Sequence, residues 1–282
     1  MKKIANKTNV LGLIAGQGRL PFIVADGAHK AGLRVVCVGL SGNVLPDLKN
    51  KVDEFFTVPI ARPGSWIKKL KRSSVINTVM VGRVEKSKIF TPWRILRYLP
   101  DWHALKIWYW TLRKSSKQNQ MLLSALADEL AKGGIILEDS TKYCKEHLAI
   151  QGLMTKNNPN KETENDIEFG WQIAKKVAEL DIGQAVAVKE RDILAVEAIE
   201  GTAEMIKRAG SLCKRGGWTL VKVAKRNQDM RFDVPCVGSD TIKSLSENGC
   251  KCLVLEAGKV IIIDKSQTLE LASKLGISVL GH

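Results

Sequence analysis

The chain has 282 residues, 45% of them hydrophobic and 26% charged, and carries a formal charge of +15 from 44 Lys and Arg against 29 Asp and Glu. This composition excludes a disordered chain and suits about two domains. Residues 1–134 hold 23 basic and 8 acidic side chains, whereas residues 135–282 hold 21 of each. The whole excess therefore lies in the first part and calls for an anionic partner: nucleic acid, a membrane surface or a phosphorylated ligand.

The basic start Met1-Lys2-Lys3 precedes an apolar run broken by Gly12, Gly16 and Gly18. That run reads as a buried strand and not as a signal peptide, and nowhere do about 18 apolar residues follow one another as a membrane span requires. The strand ends in a turn, Gly16-Gln17-Gly18-Arg19-Leu20-Pro21, and Pro21 suits the first turn of a helix over 21–31. A second strand follows over 34–39, and residues 78–82 repeat the pattern of strand then glycine, ending at Gly82. A helix is expected over 120–131, closed by Gly133-Gly134, and a short strand over 135–139. Residues 151–166 are polar and turn-rich and read as a linker or long loop, with a helix from Asp166 to about 180. Strands are expected over 184–188, 192–196, 219–223, 251–255 and 259–263, with a helix over 202–208. The pattern gives an α/β protein of two domains. Residues 1–134 form an N-terminal Rossmann-like doubly wound sheet, and residues 135–282 a C-terminal mixed α/β domain.

Several stretches carry chemistry. The glycine turn after the first strand resembles part of a dinucleotide-binding turn, in which backbone N–H groups and a helix N-terminus meet a pyrophosphate. Pro21 replaces the third glycine, however, and no acid ends the second strand, which argues against NAD. A phosphate contact and a purely structural turn both stay open. Residues 86–117 contain eight basic side chains opposed only by Asp101, together with Trp93, Trp102, Trp108, Trp110, Tyr98 and Tyr109. The mixture fits an anionic membrane surface, a single-stranded nucleic acid, or a helical hairpin whose tryptophans are core.

The strand over 219–223 leads into Lys225-Arg226-Asn227-Gln228-Asp229-Met230-Arg231-Phe232-Asp233. Two acids four apart suit a hard cation such as Mg2+, which keeps several waters and bridges phosphate oxygens, while Lys225 and Arg231 are candidates to neutralise phosphate. The alternative is a surface loop of Arg–Asp pairs. Glu197 and Glu200 precede Gly201 and Thr202, a candidate anion-binding helix start with Thr202 as cap; a structural cap is the alternative. Lys189 is a candidate phosphate contact or a hairpin lysine. Cys37, Cys144, Cys213, Cys236, Cys250 and Cys252 are scattered and read as reduced thiols, and His29, His103, His147 and His282 form no ligand spacing.

Three segments taken together resemble one family. These are Leu11-Gly12-Leu13-Ile14-Ala15-Gly16-x-Gly18-x-Leu20-Pro21, the run from Ala195 to Thr202, and Lys225-x-x-Gln228-Asp229-x-Arg231-x-Asp233-x-Pro235. They resemble the LpxI-type UDP-2,3-diacylglucosamine pyrophosphatases, and Gln151-Gly152-Leu153-Met154 and Asp166-Ile167-x-x-Gly170 fit the same pattern. Arg226 departs from it, at a position where a proline or small residue is expected. The resemblance implies a Mg2+-assisted hydrolase of the lipid A pathway that splits UDP-2,3-diacylglucosamine into UMP and 2,3-diacylglucosamine 1-phosphate. It implies that Asp229 or Asp233 is the acid whose loss stops turnover, with Asp229 and Asp233 holding the metal and Arg231 and Lys225 assisting. Gly16, Gln17, Gly18, Pro21, Gly82, Lys189, Glu197, Glu200, Gly201, Thr202 and Gln228 are the candidate substrate contacts. The expected setting is cytoplasmic, peripheral at the inner membrane through residues 86–117, with no nucleic acid bound and a homodimer left open. A non-catalytic nucleotide-sugar binder and a basic nucleic-acid-binding protein are the rivals.

Overall fold

The computed structural model describes residues 9–84, 100–113, 119–225, 228–232 and 234–282, without the side chains at 108, 110–113 and 119–120. The described residues fall into two compact units. One is drawn from Met1–Cys144 with Met230–Asp233, the other from Lys145–Asp229 with Val234–His282.

The first unit runs β1 (Val10–Ala15), α1 (Leu20–Lys30), β2 (Arg34–Leu40), β3 (Glu54–Val58), α2 (Pro63–Arg72), β4 (Asn77–Val81), α3 (Trp102–Arg113), α4 (Asn119–Lys132) and β5 (Ile136–Leu137). Its five strands are parallel in the order β3-β2-β1-β4-β5. The connection through α1 moves one way along the sheet and that through α2 moves back. Right-handed crossovers in opposite directions place helices on both faces, which is the doubly wound, Rossmann-like arrangement. Ile14, Val36, Val38 and Leu40 pack on Trp66, Ile67 and Leu70 of α2 and Leu130 of α4. The division between units falls after Cys144 and not at Gly134, because β5 pairs with β4 and belongs to this sheet.

The second unit contains β6 (Gly152–Leu153), α5 (Lys161–Glu179), β7 (Ala185–Lys189), β8 (Asp192–Val196), α6 (Thr202–Leu212), β9 (Trp218–Lys222), β10 (Cys236–Val237), α7 (Ser239–Glu247), β11 (Cys250–Leu255), β12 (Ile261–Ile262), α8 (Lys265–Lys274) and β13 (Ser278–Gly281). Its six-stranded sheet has the order β6-β13-β11-β9-β7-β8 and is mixed. β9, β11 and β13 are parallel, whereas β6, β7 and β8 each run antiparallel to a neighbour. Strand alternation sorts the faces. Val186, Val188, Val221 and Val254 meet Ile167, Ala174 and Val177 of α5, while Ala185, Ala187, Leu220 and Leu253 meet α6, α7 and α8. The strand expected over 259–263 contributes only β12, which pairs with β10 outside this sheet.

α5 starts earlier than its expected position at Asp166. Asn160 caps it, its Oδ1 accepting from Thr163 N at 2.9 Å, so residues 161–166 are helix and not loop. Asp166 is buried inside the helix and accepts from the amides of Glu190 (3.1 Å) and Arg191 (2.7 Å). Both of those residues have left-handed φ angles, +53° and +59°, which two-residue hairpin turns require and which glycine or asparagine usually supplies. The Asp166 carboxylate thus holds the β7–β8 turn in a conformation its own residues disfavour. One turn further along α5, Gly170 allows the helix onto the sheet: a Cβ there would lie 2.8 Å from Val188 Cγ2 and 2.9 Å from Val221 Cγ2. Gly170→Ala improves helix propensity but overpacks this contact, and is expected to lower stability by about 1–3 kcal/mol, read as a lower urea midpoint.

Candidate functional site

In an open parallel sheet the binding crevice lies at the carboxyl ends of the strands, where the chain order reverses. In the first unit that point is between β1 and β4. The turn after β1 and the turn after β4 are laced together there. Gly16 N donates to Val81 O at 2.9 Å, Gln17 N to Arg83 O at 2.8 Å, and Arg83 N to Gln17 O at 2.9 Å. A Cβ on Gly16 would lie 2.7 Å from Arg83 O, and one on Gly82 would lie 2.7 Å from the Gly16 carbonyl carbon. These two glycines permit close backbone approach. The amides of Gly16 and Gln17 are occupied by Val81 of β4 and by Arg83 in the turn after it, so they do not cradle a phosphate in the way a dinucleotide-binding turn does. Gly18 is a glycine for another reason: its φ is +104° with open space around it. Pro21 sits buried in the first turn of α1, and the Arg19 guanidinium lies 5.1 Å over the Phe22 ring.

The candidate catalytic segment joins this unit through its backbone. Ser140, just after β5, donates its amide to Met230 O at 2.9 Å, and its hydroxyl lies 2.8 Å from Met80 O and 2.9 Å from Arg231 O. The Phe232 ring is buried against Ala127 and Leu137, and the Arg231 guanidinium stands 5.1 Å over that ring. The structure therefore brings Arg231 to the strand end that Gly82 follows. Ser140 and Phe232 were missed by motif reading. The available signal was the lone aromatic Phe232 among polar residues; residues 230–232 form a turn in which Phe232 is buried while Met230 and Arg231 are half-buried. Asp229 is half-buried at the point where the chain passes between units. Asp233 and Arg226 lie outside the described residues.

In the second unit the polar groups gather where β9 and β11 end. Lys222 and Glu197 are both buried. Lys222 Nζ donates to Thr202 Oγ1 at 3.0 Å, and Thr202 Oγ1 donates to Glu197 Oε1 at 2.7 Å, while the Gln184 amide reaches Glu197 Oε2 at 3.3 Å. Gly201, at φ +82°, caps α6, so Thr202 is its first residue and turns its hydroxyl to Glu197 instead of capping. Lys225 pairs with Asp181, and Gln228 N closes a turn onto Lys225 O at 3.0 Å. Glu256, buried just after β11, accepts from Ala224 N at 2.8 Å and pairs with Lys175 at 3.0 Å and Lys259 at 2.9 Å. Burial alone would raise its pKa, but these hydrogen bonds and charges outweigh it and hold the carboxyl below its ordinary range. Lys222 and Glu256 were also missed, since each reads in sequence as the polar end of a strand.

Two candidates stand apart. Glu200 is engaged by Arg208 at 2.8 Å. Lys189 is at the other end of β7: Ala185 pairs with Lys222, whereas Lys189 pairs with Asp192, so four residues, about 13 Å, separate the two levels. Lys189 is a hairpin lysine, away from Thr202 and Lys225. The six cysteines are free thiols, and burial pushes Cys37 and Cys250 up to about 12, which removes them as nucleophiles at neutral pH. Among the described residues no three His, Cys, Asp or Glu side chains converge as metal ligands.

Comparison with known proteins decides the family. Residues 10–147 match the LpxI N-terminal domain and residues 150–280 match the LpxI C-terminal domain. The chain belongs to the LpxI family. A curated member from Caulobacter vibrioides, UDP-2,3-diacylglucosamine pyrophosphatase LpxI, is 30% identical over 278 residues, covering 96% of this chain and 96% of that protein. The family's two domain models meet between 147 and 150, close to the division of the structure after Cys144. Within this LpxI chain, the Phe232 anchor is open to direct test. Phe232→Ala is expected to destabilise the protein by about 3–5 kcal/mol, with Phe232→Leu recovering most of the loss, as read by denaturant unfolding.

Proposed function

We propose that this LpxI-family protein hydrolyses the diphosphate of UDP-2,3-diacylglucosamine, releasing UMP and 2,3-diacylglucosamine 1-phosphate for lipid A synthesis. The observation that carries this reading is the match of both family domains across the chain, together with a curated relative of that printed activity covering 96% of each sequence.

The reaction exchanges one P–O–P bond for a new P–O bond from water, and leaves two phosphate monoesters. Such a step needs positioning and neutralisation of the charge that develops on the phosphoryl oxygens. Arg231 supplies a planar, permanently charged donor fork, and its backbone is fixed by Ser140 beside Met80. Lys225 and Lys222 are cations at the carboxyl end of β9, and Thr202 is a hydroxyl between Lys222 and Glu197. The turns through Gln17, Gly18 and Gly82, at the first unit's switch point, are the candidate contacts for the nucleotide or sugar.

Asp229 and Asp233 would hold Mg2+. The donor chemistry fits, because this cation keeps several waters and takes one or two carboxylates along with substrate phosphate rather than a full protein cage. When bound, the metal would offset the diphosphate charge. Asp229→Ala is expected to lower UMP release at least 100-fold without loss of fold, and chelation with EDTA to stop it reversibly. Release of UMP at the unaltered rate by Asp229→Ala would remove this acid from the mechanism.

The membrane part of the reading rests on α3. Asp101, the acid opposing the basic stretch, caps this helix through Ala104 N at 2.9 Å and also accepts from Gly64 N at 2.7 Å. His103 and Ile107 turn inward, His103 pairing with Glu129, while Trp102, Leu105 and Tyr109 are exposed along one face with Lys106 Nζ 5.8 Å over the Trp102 ring. An aromatic and cationic face of this kind suits the headgroup level of an anionic bilayer, where each nearby Lys or Arg adds about 1 kcal/mol. No helix among the described residues is long and apolar enough to cross a membrane. The exposed aromatic and cationic face of α3 supports a cytoplasmic setting, peripheral to the inner membrane. Replacing Trp102, Leu105 and Tyr109 together by Ser is expected to weaken sedimentation with phosphatidylglycerol vesicles about tenfold or more; unchanged sedimentation would remove α3 as the contact.

A further inference from the structure

The parallel pairing of β9 with β11 ends at Lys222 and Leu255. Glu256 N still donates to Lys222 O at 3.1 Å, but the next amide of that chain, Ala257 N, turns away to His282 O at 3.0 Å. The chain after β9 keeps going. Val223 N donates to Gln184 O at 2.9 Å, and Ala224 is wholly buried, so its amide needs an acceptor that the departing backbone no longer offers. Glu256 Oε2 is that acceptor, at 2.8 Å. A side-chain oxygen thus stands where the next carbonyl of the ladder would have been. The carboxylate is itself held in place. Lys175 of α5 and Lys259 of the following turn both reach the other oxygen, Oε1, at 3.0 and 2.9 Å, which leaves Oε2 to Ala224. Lys175 also lies 5.7 Å over the Trp171 ring, which stacks on His282 at 4.3 Å between centroids. The two lysines keep this buried acid ionised, the form in which it accepts a hydrogen bond most strongly. Directly after Ala224 comes Lys225, whose side chain pairs with Asp181 and whose carbonyl accepts from Gln228 N at 3.0 Å.

We propose that Glu256 is a positioning residue for the diphosphate hydrolysis: its carboxylate, through the Ala224 amide, sets the path on which the chain leaves β9 and presents Lys225 and Asp229. The inference rests on the hydrolase reading above and adds to it a residue outside the candidate motif. Glu256 acts through the backbone, and a shift of about 1 Å in groups that face a reacting centre can cost about 100-fold in rate.

The test compares Glu256→Ala, which removes the acceptor, with Glu256→Gln, which keeps an acceptor oxygen for Ala224 and lets the two half-exposed lysines turn to water. Two quantities are read on the full chain, at a temperature where circular dichroism shows every variant folded. One is amide hydrogen exchange of the peptide carrying Ala224 and Lys225; the other is UMP release from UDP-2,3-diacylglucosamine. In Glu256→Ala the peptide is expected to exchange faster while α5 and β7 stay protected. Its kcat is expected to fall about tenfold or more, with KM changed less than about twofold. Glu256→Gln is expected to restore slow exchange and most of kcat, so that rate follows the order of this peptide across the variants. Unchanged exchange in Glu256→Ala would overturn the proposal, as would faster exchange with unaltered kcat. Faster exchange throughout α5 and β7 would mark a general loss of stability and overturn it too. Equal loss of kcat in both variants, with exchange slow in Glu256→Gln, would assign the effect to the charge instead of the hydrogen bond and also overturn it. Failure of the wild-type protein to release UMP would refute the hydrolase reading, and the exchange result would then still decide whether Glu256 holds the segment.

Discussion

Ser140 stands where two backbone carbonyls converge. Its hydroxyl lies within hydrogen-bond reach of Met80 at the end of β4 and of Arg231, and its amide binds Met230. These part-buried contacts hold the path of the segment against the first unit. Phe232 adds the apolar part of the anchorage. As a result the chain passes between the units after Cys144, after Asp229 and again after Asp233. Asp229 and Arg231, which flank these anchors in sequence, are candidate catalytic residues.

The same economy of backbone appears at the switch point. Gly16 and Gly82 let two turns approach more closely than any side chain would permit, and the resulting bonds occupy the amides of Gly16 and Gln17. A glycine turn after a first strand is a phosphate site in some folds because its amides point outward. Here the first two point at Val81 and Arg83, at and just beyond the end of β4. The Arg231 carbonyl is held at the same strand end, through the Ser140 hydroxyl beside Met80.

Charge is distributed by a related logic. In the second unit cations stand beside carboxylates: Lys175 and Lys259 on Glu256, Lys225 on Asp181, Arg208 on Glu200. That pairing is the structural form of its balance of 21 basic and 21 acidic residues in the second part of the chain. In the first unit the acid of the basic stretch, Asp101, is taken up by helix capping, and α3 presents Trp102, Leu105, Lys106 and Tyr109 outward.

The sequence by itself determined the α/β class, the strand–glycine pattern of β1 and β4, the second-unit strands and the family, because period-two apolar runs and short motifs are local properties. It also marked Asp229, Arg231, Glu197 and Thr202 as polar residues in unusual surroundings. It did not show that Asp166 lies inside α5, since the cap at Asn160 and the strained Glu190–Arg191 turn that Asp166 holds are far apart in the chain. Nor did it separate Lys189 from Lys222, which only the antiparallel register of β7 and β9 places at different levels. The Ser140 contact, the burial of Phe232, and the pairing of Asp181 with Lys225 were decided by tertiary structure alone. Each joins residues distant in sequence, and hydrogen bonding and burial between such residues leave no periodic trace in the chain.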